Sequence, residues 1–116
     1  GKVSREWLDS LPDNDWRKHK KDHPVVKYVQ NDNDLEHFLT FQESLRSIAS
    51  DCGYTVGQLA VAWALLRPEV TSAIVGARRK GPIAETAKAA EWQMNEEQSI
   101  AIESALQEFL TKVEDA

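Results

Sequence analysis

The chain has 116 residues, 41% hydrophobic and 28% charged, with a mean hydropathy of −0.51, which is the profile of one small soluble domain. Its net charge of −5 and pI of about 5.2 are the wrong sign for a generic binder of nucleic acid or an anionic membrane. The longest apolar runs, Leu59–Leu66 and Thr71–Val75, fall far short of the ~20 residues that span a bilayer. No charged-then-apolar leader opens the chain, and the single cysteine, Cys52, has no internal partner, so the expectation is a cytoplasmic protein without disulfides. The lone methionine is Met94, and a chain that opens on Gly1 instead reads as a piece of something longer.

Residues 1–33 read as an irregular region with two short helical pieces, Ser4–Leu11 and Asp13–Lys21, interrupted by Pro12 and Pro24. The cluster Arg17, Lys18, His19, Lys20, Lys21, His23 and Lys27 is its main feature, and a solvated face is the ordinary reading of such a run. Residues 34–116 form the second part. From Asp34, apolar residues recur at helical spacing through Leu35, Phe38, Leu39, Leu45, Ile48, Ala49 and Cys52, and Gly53 supplies the stop. Thr55 caps a second helix, Val56–Leu66, with Gln58 at the reciprocal position of a capping box and Arg67-Pro68 closing it. That helix is apolar almost all round, which predicts burial on most sides.

Thr71–Val75 is short, apolar and β-branched, and reads as a buried strand. Gly76–Gly81 is a loop, and Pro82 opens a helix that continues through Ile83, Ala84, Ala87 and Ala90. Asn95 with Gln98 caps a last helix, whose apolar positions are Ile102, Ala105, Leu106, Phe109, Leu110 and Val113. One strand makes no sheet, so the order of elements fits the closing βα unit of a larger parallel-strand domain better than an independent fold.

Three candidate chemistries stand out. A helix-turn-helix is imitated by Ala49, Gly53 and Leu59, yet Val56–Leu66 offers only Gln58 to a base edge or phosphate. His19, His23 and His37 are spread too widely for a metal site, and Tyr28, Tyr54 and Cys52 lack an adjacent base, so a thiol at a helix end is the simplest reading of Cys52. The third candidate is Gly76-Ala77-Arg78-Arg79-Lys80-Gly81. Three adjacent cations between a strand end and a helix start are placed where α/β folds bind phosphate. From the residues alone, a solvated loop and an anion site both remain open.

The stretches Gln58-Leu-Ala-Val-Ala-Trp63-Ala-Leu-Leu-Arg-Pro68, Val70-Thr-Ser-Ala-Ile-Val-Gly-Ala-Arg-Arg79, Ile83-Ala-Glu85 and Lys88-Ala-Ala-Glu-Trp92 resemble the aldo-keto reductases. Leu45–Ala49 and Gly53–Val56 fit the helix and turn before them, and Gly1-Lys2 with Leu11-Pro12 and Asp15-Trp16-Arg17 looks like the long loop after barrel strand 7. The resemblance implies an α/β parent, a (β/α)₈ TIM barrel, of which this chain is the mainly helical C-terminal segment with one strand. It implies NADP(H) as cofactor and a small carbonyl substrate reduced by hydride transfer.

Gly76, Ala77 and Arg78 match residues that contact the 2′-phosphate end of the cofactor, with Arg79 beside them. Glu85 matches an adenine contact, Thr86 stands where the family has an asparagine, and Lys2 matches a lysine that reaches the cofactor. Pro82 replaces a side chain that contacts the phosphate in the family. The catalytic Tyr, Lys, Asp and His that the family uses belong to earlier strands, so no residue here is expected to be catalytic, nor is the chain alone expected to transfer hydride. The alternative from another class is a helical module that buries its strand edge and apolar helix against a second copy.

Overall fold

A computed structural model describes residues 3–20, 22–24, 26–76 and 81–114. Six α-helices form among them: α1 (Arg5–Asp9), α2 (Trp16–His19), α3 (Asp32–Asp51), α4 (Val56–Leu65), α5 (Pro82–Ala87) and α6 (Glu96–Glu114). A 3₁₀ turn, Lys88–Glu91, follows α5 directly. The chain divides into two compact units, residues 1–43 with 105–116, and residues 44–104, and both boundaries fall within helices.

Local chemistry sets the helix ends. Ser4 caps α1 by accepting from Trp7 N at 3.1 Å, and Asp15 caps α2 by accepting from Arg17 N at 2.9 Å. Both helices are shorter than the sequence suggests. In place of a helix over 13–21, residues 13–15 stay outside and α2 begins only after the Asp15 cap, because an aspartate that bonds the second amide beyond it has extended backbone. Helix α3 begins two residues earlier than its apolar pattern implies, since Asn31 Oδ1 accepts from the amides of Asn33 and Asp34 at 2.9 and 3.2 Å.

At the end of α3, Tyr54 N donates to Ala49 O at 2.9 Å and Gly53 N to Ser50 O at 3.0 Å. Gly53 holds φ +78°, so a left-handed residue reverses the chain there. The capping boxes at both predicted positions form. Thr55 Oγ1 accepts from Gln58 N at 3.2 Å while Gln58 Oε1 accepts from Thr55 N at 2.9 Å; Asn95 and Gln98 repeat the exchange at 2.8 and 3.0 Å.

In the first unit, Leu8, Leu11, Val26, Val29 and Leu35 form the buried core, with Trp7, Phe38 and Leu39 packed on it. Phe109 gathers three rings: Phe41 stacked at 5.1 Å, and Tyr28 and Phe38 edge-on at 5.2 and 6.1 Å. In the second unit, Ala49, Leu59, Ala62, Trp92 and Ile102 are buried together, and Tyr54 stacks on Trp92 at 4.5 Å with the rings only 4° from parallel.

Three expectations are overturned here. Residues 71–76 form no strand, and among the described residues there is no strand at all. A strand exists only through a ladder with a neighbour, and no backbone hydrogen bond between described residues engages 71–76. Ile74 is fully exposed at 100% instead of buried. Helix α4 likewise is not buried on most sides: Gln58, Leu59 and Ala62 are, while Val61, Trp63, Ala64 and Leu65 are half-buried and Ala60 and Leu66 exposed. Its apolar circumference exceeds what the second unit has to set against it. The helix from Pro82 also gives way to the 3₁₀ turn after Ala87, before the expected Ala90.

Candidate functional site

The chemistry of the loop after residue 75 rests on its neighbours, because Ala77, Arg78, Arg79 and Lys80 lie outside the described residues, as does Lys2. The loop leaves from Val75-Gly76 and returns at Gly81, whose φ of +96° is open to glycine and strained for other residues. Gly81 is the N-cap residue of α5 and Pro82 fills the first helical position, where a missing N–H costs nothing. Gly81 O accepts from Ala84 and Glu85 at 3.1 and 3.3 Å, and no side chain caps this end. At six residues, α5 is too short for its dipole to do much for an anion.

The structure places three of the sequence-predicted site residues. Gly76 is exposed, and a Cβ built on it would meet no atom within 4 Å, so internal packing does not demand glycine at this position. Glu85 is exposed on α5, with its side chain available to solvent. Thr86 is half-buried, and its hydroxyl donates to Pro82 O at 2.8 Å, one turn back. That bond engages the one donor of the Thr86 hydroxyl.

A cleft of about 390 Å³ is lined by Val61 and Leu65 of α4, Thr71–Ala73 and Val75, and Ile83, Thr86 and Ala87 of α5. Its lining is mostly aliphatic, and it borders both the extended segment and Thr86. Sequence reading missed one residue that organises this region. Gln58, only 6% exposed, donates from Nε2 to Glu85 O at 2.6 Å while keeping its capping bond to Thr55. The capping-box pattern located Gln58 but carried no signal for its second partner, 27 residues away.

The other candidates resolve into packing. Helix α4 presents no cation among its residues. Cys52 Sγ, half-buried, accepts from Gln98 Nε2 at 2.9 Å, and Gln98 Oε1 also takes Trp92 Nε1 at 3.3 Å. Tyr28 rests on Phe109 with Lys27 Nζ 4.4 Å above its ring, and Tyr54 lies on Trp92. Much of the basic cluster is internally engaged: Arg17 forks onto Asp15 at 2.6 and 2.9 Å, Lys18 reaches Asp13 at 3.3 Å, and His19 contacts Asp13 O. The guanidinium bonded to Asp15 holds that carboxyl at about 2, down from an ordinary 3.8. His23 sets its ring edge-on to Trp16 at 4.9 Å. Among the described residues, no three His, Cys, Asp or Glu side chains group as metal ligands, and no helix is long and apolar enough to cross a membrane.

Comparison with known proteins now decides the family. The sequence profile described as "Aldo/keto reductase family" matches residues 6–107, most of the chain. The chain belongs to the aldo/keto reductase family. A protein of Arabidopsis thaliana named as a probable voltage-gated potassium channel subunit beta is 38% identical over 63 residues, which are 54% of this chain and 19% of that protein. A rice protein (Oryza sativa subsp. japonica) of the same name is 36% identical over 63 residues, again 54% and 19%. The chain therefore aligns with about a fifth of the length of these relatives. No solved structure matches it. The aldo/keto reductase family implies a TIM-barrel parent, and a mainly helical chain without strands among its described residues is consistent with a segment of one.

Proposed function

We propose that this chain is the segment of an aldo/keto reductase that grips the adenosine phosphate of NADP(H), within a parent that reduces aldehydes or ketones. The family match over residues 6–107 supports this reading, because it spans the loop between Val75 and Gly81, which the resemblance sets after the last barrel strand. The donor set fits the group. Arg78 and Arg79 offer permanently charged, fork-shaped donors suited to a phosphate monoester, and Gly76, with open space where a Cβ would stand, leaves room for a ligand to approach the backbone. Glu85, exposed on α5, is the adenine contact; Thr86 and Lys2 complete the set. When bound, the cofactor supplies the hydride. The residues of this chain bind and orient its adenosine end only.

In this reading, residues 1–33 are the loop region after strand 7, and residues 34–116 carry strand 8 and the closing helices. In the parent, residues 71–75 gain the strand neighbours that their backbone lacks here. Titration of the chain with NADPH, followed by fluorescence of its four tryptophans, tests the clamp. Saturation is expected, and absence of binding at millimolar cofactor would sink it.

The names of the two plant relatives favour a second reading, in which the parent serves as a potassium-channel subunit rather than a free enzyme. Co-purification of the full-length parent with a potassium channel from its native membrane distinguishes this, and a parent that never co-purifies counts against it.

A further inference from the structure

Gln58 is the one buried polar side chain among the described residues, and both its amide oxygen and its amide nitrogen are engaged. Its oxygen accepts from Thr55 N at 2.9 Å, its nitrogen donates to Glu85 O at 2.6 Å, and its backbone N donates to Thr55 Oγ1 at 3.2 Å. The amide orientation follows from chemistry, since an N–H partner requires the oxygen and a carbonyl partner requires the NH₂. The Glu85 carbonyl takes this donor beside the Lys88 N–H. Where α5 tightens into the 3₁₀ turn, the Lys88 N–H is shared between Glu85 O and Thr86 O. Glu85 and Thr86 are also the two α5 residues assigned to the nucleotide. One buried side chain thus ties the start of α4 to the backbone of the residue whose exposed carboxylate meets the adenine.

We infer that Gln58 is a positioning residue for nucleotide binding: it fixes the Glu85 backbone, and so the direction of the Glu85 and Thr86 side chains, without touching the ligand. This rests on the nucleotide reading above. Two substitutions separate this role from simple helix capping. Gln58→Glu keeps an acceptor for Thr55 N and preserves the capping box, but sets a carboxylate against the Glu85 carbonyl with no donor between them. Gln58→Leu removes both functions.

Native-state hydrogen exchange and NADPH titration of the 116-residue chain read the two effects together. The amides of Ala84, Glu85 and Lys88 are expected to exchange about tenfold faster in both variants, the scale of one net hydrogen bond, while Leu59 N–H loses protection only in Gln58→Leu. The NADPH dissociation constant is expected to rise about tenfold in both, following the lost donor rather than the cap. Unchanged α5 exchange in Gln58→Glu overturns the inference. So does faster exchange with wild-type affinity, because the bond would then be structural only. A wild-type chain that does not bind NADPH at all overturns the nucleotide reading itself, and with it the positioning role.

Discussion

The unit of residues 44–104 carries the larger share of the apolar sequence, yet it closes less completely than the unit of residues 1–43 and 105–116. In the unit of residues 1–43 and 105–116, Leu8, Leu11, Val26, Val29 and Leu35 cover one another, and Phe109 is surrounded by Tyr28, Phe38 and Phe41. Its charges are spent locally, with Arg17 on Asp15 and Arg5 on Asp32 at 2.5 Å. In the unit of residues 44–104, Leu59, Ala62 and Trp92 are buried, but the neighbouring face of α4 looks onto an aliphatic cleft. Beside it runs a segment of β-branched sequence with no ladder and a fully exposed Ile74. The difference teaches where the chain is self-sufficient and where it is built for company. The open side belongs to the unit that carries the proposed phosphate loop.

The comparison breaks most sharply at α4. Leu59→Ala is expected to destabilise by ~3 kcal/mol, because a leucine 1% exposed leaves a cavity among well-packed neighbours. Ile74→Thr, fifteen residues on and equally apolar in sequence, is expected to change stability by less than ~0.5 kcal/mol, because no contact is lost. Urea denaturation of the two variants measures both. A large loss at Ile74 would mean that residues 71–76 are packed in solution, by a second copy or otherwise.

Smaller effects sharpen the same contrast. Gly53→Ala is expected to cost ~1 kcal/mol through backbone strain at φ +78°, since its Cβ would meet nothing within 4 Å. Thermal unfolding by circular dichroism reads it. In the other unit, the depressed Asp15 pKa gives a pH effect with a fixed sign. A carboxyl whose folded pKa is about 2 against an ordinary 3.8 adds stability that is fully present above the higher value and is lost as pH falls through the lower one. Carboxyl NMR is expected to place the Asp15 midpoint near the lower value, and Arg17→Met to restore an ordinary one. The effect on overall stability is small, because the pair is solvated.

Several helix ends decided by adjacent side chains were legible in the sequence. Thr55 with Gln58, Asn95 with Gln98, and Gly53 all stand where their types imply, because capping is chemistry among adjacent residues. Asn31 and Asp15 moved two boundaries by the same mechanism, acting at positions where the apolar pattern gave no hint. What could not be read locally was anything that needs a distant partner. The strand at 71–75 is a statement about neighbours, not about Thr, Ile and Val, and its propensity goes unfulfilled without them. The bond from Gln58 to Glu85 and the aromatic cluster on Phe109 join residues far apart in sequence, which no periodicity encodes. The loop Gly76–Gly81 is conspicuous for its charge, and the address proposed for that charge rests on family membership.

The central claim is that this loop recognises a ribose 2′-phosphate. Calorimetric titration with 2′,5′-ADP and with 5′-AMP tests it most directly, in the wild-type chain and in Arg78→Ala. The account predicts that 2′,5′-ADP binds more tightly and that this advantage falls about tenfold or more when the guanidinium is removed. Equal binding of the two nucleotides by the wild-type chain would contradict it.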